Sequence, residues 1–149
     1  MMVVLRWNGT GTTIAGITSS AGSANNKLNT PYDIKLDNEL NLYIADAVNC
    51  RIQKYLRDNL TGITIAGSAG SGCGASSTKL IYPAALLRYP NGDMYITDRE
   101  NNRIQFWPNG ANNSTTIAGM TGKYRKQEYV HYHTYYFVWQ CFLQVSVEM

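Results

Sequence analysis

Charged residues are scarce in this chain of 149 residues, and this scarcity limits what the protein can be. Asp, Glu, Lys and Arg make up 15% of the sequence, whereas globular proteins average about a quarter. A long coiled coil requires heptads rich in Glu, Lys and Leu, so that class is excluded. The net charge of +3 is spread along the chain and forms no basic patch, so no nucleic-acid partner is expected.

Long apolar runs, cysteines and histidines are also few. No run of about 18 apolar residues is present, so we expect no membrane-spanning helix, and residues 1–6 carry too little apolar sequence for a signal peptide. The three cysteines lack metal-ligand spacing and are too few for a disulfide scaffold; they are Cys50, Cys73 and Cys141. His131 and His133 provide at most half of a metal site. The sequence therefore predicts no metal, no cofactor and no catalytic residue.

In their place the sequence has 13 glycines, 11 tyrosines and an internal repeat. Residues 13–16 (TIAG) return at 64–67 and at 116–119. Residues 42–46 (LYIAD) return at 94–98 (MYITD), and residues 49–53 (NCRIQ) return at 101–105 (NNRIQ). From residue 28 to residue 67 the second copy follows at a constant offset of 52 with no gap. Chance does not produce such an alignment, so the repeat defines the architecture.

Each unit is predicted to contain four short strands separated by turns. In the first unit they lie around Ile34 and Leu36, at 42–45, at 51–55 and at 63–66. The Gly/Ser-rich stretches 17–27 and 68–79 are predicted to pass from one unit to the next. Short strands in units of about 40–50 residues are typical of the blades of a β-propeller.

The order of a proline, then LYIAD, then Asn-x-Arg-Ile-Gln resembles the NHL repeat of β-propellers. The resemblance covers residues 3–122, with an opening partial blade at 3–16 and units at 28–67 and 80–119. It implies an all-β fold, a fragment of an NHL-type propeller with about 2.5 four-stranded blades. Residues 123–149 break the pattern, and we expect this aromatic tail not to pair as a regular set of strands.

The same resemblance implies a function. It favours a non-catalytic scaffold of NHL repeats that binds a protein partner. Two alternatives stay open, namely the substrate-recognition part of a ubiquitin-ligase-type NHL protein and a fragment of a propeller lyase or lactonase. Open strand edges at the end of such a fragment also predict self-association.

Comparison of the two units separates structural positions from candidate binding positions. Positions identical in both units are predicted to build the blade, because short polar side chains suit a hairpin corner and an arginine can pair with an aspartate. They include Asp46, Asn49, Arg51, Asp98, Asn101 and Arg103. A ring of ligand-binding Asp/Arg pairs is the alternative. Positions that differ between the units are candidates for specific binding. They are Ala47 and Val48 in the first unit and the equivalent Arg99 and Glu100 in the second.

Two kinds of covalent modification are also predicted. Glycosylation sequons begin at Asn8, Asn59, Asn112 and Asn113, all in the turn between the third and fourth strands. Turns are rich in Asn, Ser and Thr in any protein, so these sequons alone do not decide whether the protein is extracellular. Propeller geometry places Cys50 and Cys73 on one face, which predicts a Cα separation under about 7 Å, compatible with a disulfide.

Overall fold

The computed structural model describes residues 10–68 and 72–119, and this part of the chain is all-β. Sheet A contains β1 (Pro31–Leu36), β2 (Leu42–Asp46), β3 (Arg51–Tyr55) and β4 (Ile63–Gly67). Sheet B contains β5 (Pro83–Arg88), β6 (Met94–Asp98), β7 (Arg103–Trp107) and β8 (Thr115–Gly119). A 3-10 turn (Arg99–Asn101) joins β6 to β7. Both sheets are antiparallel with their strands in sequence order, and they are not closed into a ring. The predicted all-β class is confirmed.

The strands begin and end close to the predicted positions, for local reasons. β1 and β5 begin with Pro31 and Pro83, since a proline, which lacks an N–H donor, is tolerated as the first residue of a strand. The turns that follow use left-handed backbone at equivalent positions, with φ of 64° at Leu40 and 95° at Gly92. The same backbone is thus built twice, 52 residues apart.

Gly67 closes the first unit and cannot be replaced by a larger residue without strain. Its φ is 80°, and a Cβ added to it would collide with the carbonyl oxygen of Cys50. Gly119 occupies the same position in sheet B, with φ of 86°. The close approach lets the end of the fourth strand pair with the start of the third.

Each sheet has two faces, because successive side chains on a strand point in opposite directions. We call the face that carries Ile34 and Ile44 in sheet A the front, and the face that carries Tyr43 and Ile52 the back. The front and back of sheet B carry the residues 52 positions later. The back of sheet A packs against the front of sheet B and forms the main core, composed of Tyr43, Ala45, Ile52, Ala66, Leu80, Leu86, Met94, Ile96 and Trp107.

A smaller cluster covers part of the front of sheet A. Leu42, Ile44 and Tyr55 pack there against Ala15 and Leu28. Residues 10–16, which belong to the predicted partial blade at 3–16, form no strand. Residues 3–9 of that predicted blade lie outside the described part of the chain, as does the predicted tail at 123–149. No helix in the described ranges is long and apolar enough to cross a membrane.

Candidate binding site

The repeated polar residues of sheet A form a buried group that we call the first latch, made of Asp46, Asn49 and Arg51. Arg51 Nε and Asn49 Nδ2 each donate to Asp46 Oδ2 at 2.8 Å. The guanidinium of Arg51 also donates to three backbone carbonyls in the preceding loop, those of Ser23, Ala24 and Lys27. The latch therefore fixes the incoming loop to the end of the sheet.

The second latch, made of Asp98, Asn101 and Arg103, repeats this arrangement in sheet B. Arg103 Nε and Asn101 Nδ2 each donate to Asp98 Oδ2 at 2.7 Å. The guanidinium of Arg103 donates to the carbonyls of Ala75, Ser76 and Lys79.

The latches bind more distant backbone than the sequence indicated. The sequence predicts partners in the hairpin corner itself, but Asp46 accepts from the amide of Asn29, and Asn49 donates to the carbonyl of Gly22. Both Asp46 and Arg51 are almost fully buried. Because their polar atoms face the protein's own backbone, the geometry supports the structural interpretation of these residues over the ligand-binding one.

A disulfide links the first unit to the loop that enters the second. Cys50 and Cys73 are bonded, and their Cα atoms lie 5.3 Å apart, within the limit expected from the sequence. Cys50 is buried in the turn after β2, whereas Cys73 is exposed beside the carbonyls that Arg103 holds. Cys141 lies outside the described residues.

The four predicted binding candidates lie at one end of the two sheets, in the turns between second and third strands, but they differ in accessibility. Ala47 is completely buried, so its side chain offers nothing to a partner. Val48 is 42% exposed, and the side chain of Glu100 is 48% exposed. Their amides donate to equivalent carbonyls, those of Asn29 and Ile81, so both turns are held in the same way.

Two tyrosines complete this surface, and sequence comparison missed them. The ring of Tyr82 meets the ring of Tyr32 edge-to-face, with centroids 5.3 Å apart, and the guanidinium of Arg99 lies 5.2 Å from the Tyr82 ring centroid. We call Tyr32, Tyr82, Arg99 and Glu100 the tyrosine seam, since these residues join the two units. The available signal was non-identity between units, because Tyr32 corresponds to Ala84 and Tyr82 corresponds to Thr30.

The backbone and the electrostatics of Tyr82 are both unusual. Its φ is 54°, a left-handed conformation that is an outlier for a bulky residue. A hydrogen bond with the Tyr32 side chain, together with burial, raises the pKa of the Tyr82 hydroxyl above its usual value. Thr30, the equivalent residue of the first unit, has the same φ of 54°, so the left-handed backbone belongs to the repeat and only the aromatic side chain is particular to Tyr82.

The predicted sequons that can be located lie at the opposite end of the sheets. Asn59, Asn112 and Asn113 are exposed there, and Asn59 Oδ1 accepts from the Thr61 amide at 2.9 Å. The fourth, Asn8, lies outside the described residues. Modification at that end would leave the tyrosine seam open.

Neither a metal site nor a related protein adds to this description. Within residues 10–68 and 72–119, no group of three or more His, Cys, Asp or Glu side chains is placed to hold a metal ion. No protein-family model matches the chain, and no curated protein matches it.

Proposed function

We propose that this chain carries NHL-type propeller repeats and serves as a non-catalytic scaffold that binds a protein partner at the tyrosine seam. The observation that carries the proposal is the contact of Tyr32, Tyr82 and Arg99, which joins two units at positions where the units differ. Residues needed only to build a unit recur in both units, as the two latches do. Side chains that differ between the two units and meet on the surface can determine which partner is bound.

The chemistry of the seam suits a protein surface. Tyrosine and arginine are, with tryptophan, enriched among the residues that dominate binding energy at protein interfaces. Tyr32 remains 44% exposed and offers an apolar ring with a polar hydroxyl. Arg99 contacts the Tyr82 ring, and the carboxylate of Glu100 lies 3.7 Å from Arg99 Nε, so both neighbours favour the same position of the guanidinium.

The test is a peptide selection with repeat-guided variants. A random peptide library displayed on phage is selected on the native chain, and enriched peptides are titrated against Tyr32→Ala, Tyr82→Thr and Arg99→Ala. Tyr82→Thr and Arg99→Ala install the residues that the first unit has at these positions, so the fold should be retained. We expect each variant to lose at least about tenfold in affinity.

The matched control is Leu60→Ala, an exposed substitution at the sequon end of sheet A. Peptides that bind Leu60→Ala as well as they bind the native chain, but not the seam variants, support the proposal. Peptides that bind every seam variant at native affinity would contradict it.

The disulfide supports a location for this scaffold. Disulfides persist in oxidising compartments and are rare in the cytosol. The Cys50–Cys73 bond therefore favours a secreted or lumenal location, where the exposed sequons would be accessible to glycosylation. The ubiquitin-ligase and lyase or lactonase alternatives rest on the family resemblance alone.

A further inference from the structure

Equivalent faces of the two sheets differ sharply in burial. Leu86 on the front of sheet B is 3% exposed, whereas Ile34 at the same position in sheet A is 56% exposed. On the back, Ile52 of sheet A is fully buried, whereas Ile104 of sheet B is only half-buried. The described structure thus has one buried interface, back of A on front of B, and leaves much of the front of A and the back of B uncovered.

Polar and charged groups join β1 of sheet A to β5 of sheet B across the buried interface. Asp33 Oδ2 accepts from the backbone amide of Leu86 at 2.9 Å. The guanidinium of Arg88 lies 4.6 Å from the centroid of the Tyr43 ring, and its Nη2 lies 4.0 Å from Asp37 Oδ2. The contact between β1 and β5 is therefore matched by charge and by hydrogen bonding.

On the two uncovered faces, the positions equivalent to these charged residues carry uncharged side chains. On the back of sheet B, apolar or aromatic residues stand 52 positions after Asp33, Lys35, Asp37 and Lys54; they are Ala85, Leu87, Tyr89 and Phe106. On the front of sheet A, Leu36 stands at the position that Arg88 holds in sheet B, and it is 59% exposed. Both halves of the Arg88–Asp37 contact are thus replaced together, by Leu36 and Tyr89.

We propose that the front of sheet A binds the back of sheet B in a second copy of this chain, in the geometry that sheets A and B already adopt within one copy. Leu36 and Ile34 would then be buried against Leu87, Tyr89 and Tyr95, so that two apolar faces leave water together. The contact uses different surfaces on the two copies, so it continues from copy to copy and forms a ring if the rotation closes or an open filament if it does not.

Residues 12–16 show where a fourth strand of a neighbouring sheet packs on the front of sheet A. Their sequence, TTIAG, is identical to that of β8. Ala15 packs on the front of sheet A as Ala66 of β4 packs in the core shared with sheet B. Residues 12–16 therefore hold the place of a fourth strand against sheet A without belonging to a strand. In the docked pair β8 of the second copy would lie in this position, so residues 12–16 would have to move aside for docking.

The test compares single variants with their mixture by sedimentation velocity over a range of concentrations. Leu36→Arg installs the residue of sheet B on the front of sheet A, and Tyr89→Asp installs the residue of sheet A on the back of sheet B. Each variant alone places a charge against an apolar face, and its association constant should fall at least about tenfold. In an equimolar mixture the two charges can meet, and association should return to the native level.

Leu60→Arg is the matched control, because Leu60 is also 59% exposed but lies in the turn between β3 and β4. It should associate as the native chain does, and circular dichroism should show an unchanged β signal in all three variants. A native chain that stays monomeric at every concentration overturns the proposal. So does a mixture that associates no better than its components, since pairing through open strand edges would not respond to these charges.

Discussion

Arg51 makes the strongest test of how the chain is held together. Replacing it with alanine removes one partner of the buried contact to Asp46, which has no exposed surface. The substitution leaves a buried carboxylate without its cation and removes the donor from three loop carbonyls. The latch is the main polar connection between residues 22–29 and the sheet that follows them.

The burial of this ion pair sets the range of stability that Arg51→Ala should lose. Removing one partner of a buried ion pair typically costs about 3–5 kcal/mol, and single domains have only about 5–15 kcal/mol of stability in total. We therefore expect Arg51→Ala to lower the free energy of unfolding by about 3 kcal/mol or more. Arg51→Lys should lose less, because lysine keeps the charge but lacks the planar fork that reaches several carbonyls.

Urea unfolding followed by far-ultraviolet circular dichroism measures this difference. The control is Arg57→Ala, because Arg57 pairs with Asp58 at 3.4 Å while its side chain stays 65% exposed. An exposed pair contributes little, so this variant should stay within about 0.5 kcal/mol of the native chain. A loss below about 1 kcal/mol for Arg51→Ala would refute the assignment of the latch as a structural device.

Three further outcomes follow from single positions. Gly67→Ala should lower the free energy of unfolding by about 2 kcal/mol or more, because φ is 80° and the added Cβ meets the Cys50 carbonyl. Gly11→Ala is the control, because a Cβ there meets nothing within 4 Å, and its urea midpoint should equal that of the native chain. Cys73→Ser should cost about 3 kcal/mol from the 23-residue separation of the bonded cysteines; an unchanged urea midpoint would contradict this. Burial alone would raise the pKa of Asp37, but hydrogen bonds to its carboxylate hold that pKa below the ordinary 3.8. Its stabilisation is therefore present above that value and lost as the pH falls, so Asp37→Asn should flatten the acid limb of a stability profile measured from about pH 5 to about pH 2. A limb as steep as that of the native chain would count against it.

The sequence by itself determined the two units and their strands. The strand pattern depends on local preferences, such as proline at the start of β1 and glycine in the turn before β6, and these can be read from a short stretch of sequence. A constant offset of 52 then transferred each assignment from one unit to the other. The all-β class and the bounds of β3 were predictable for this reason.

Only the tertiary structure decided which distant groups meet. Asp46 and Asn29 are 17 residues apart, and Tyr32 and Tyr82 belong to different units, so no local pattern connects them. Their contacts depend on which face of sheet A packs against sheet B and on the path of the loops between the units. Those choices are set by long-range burial of apolar surface, which acts between strands far apart in the chain and leaves no periodic signal in either one.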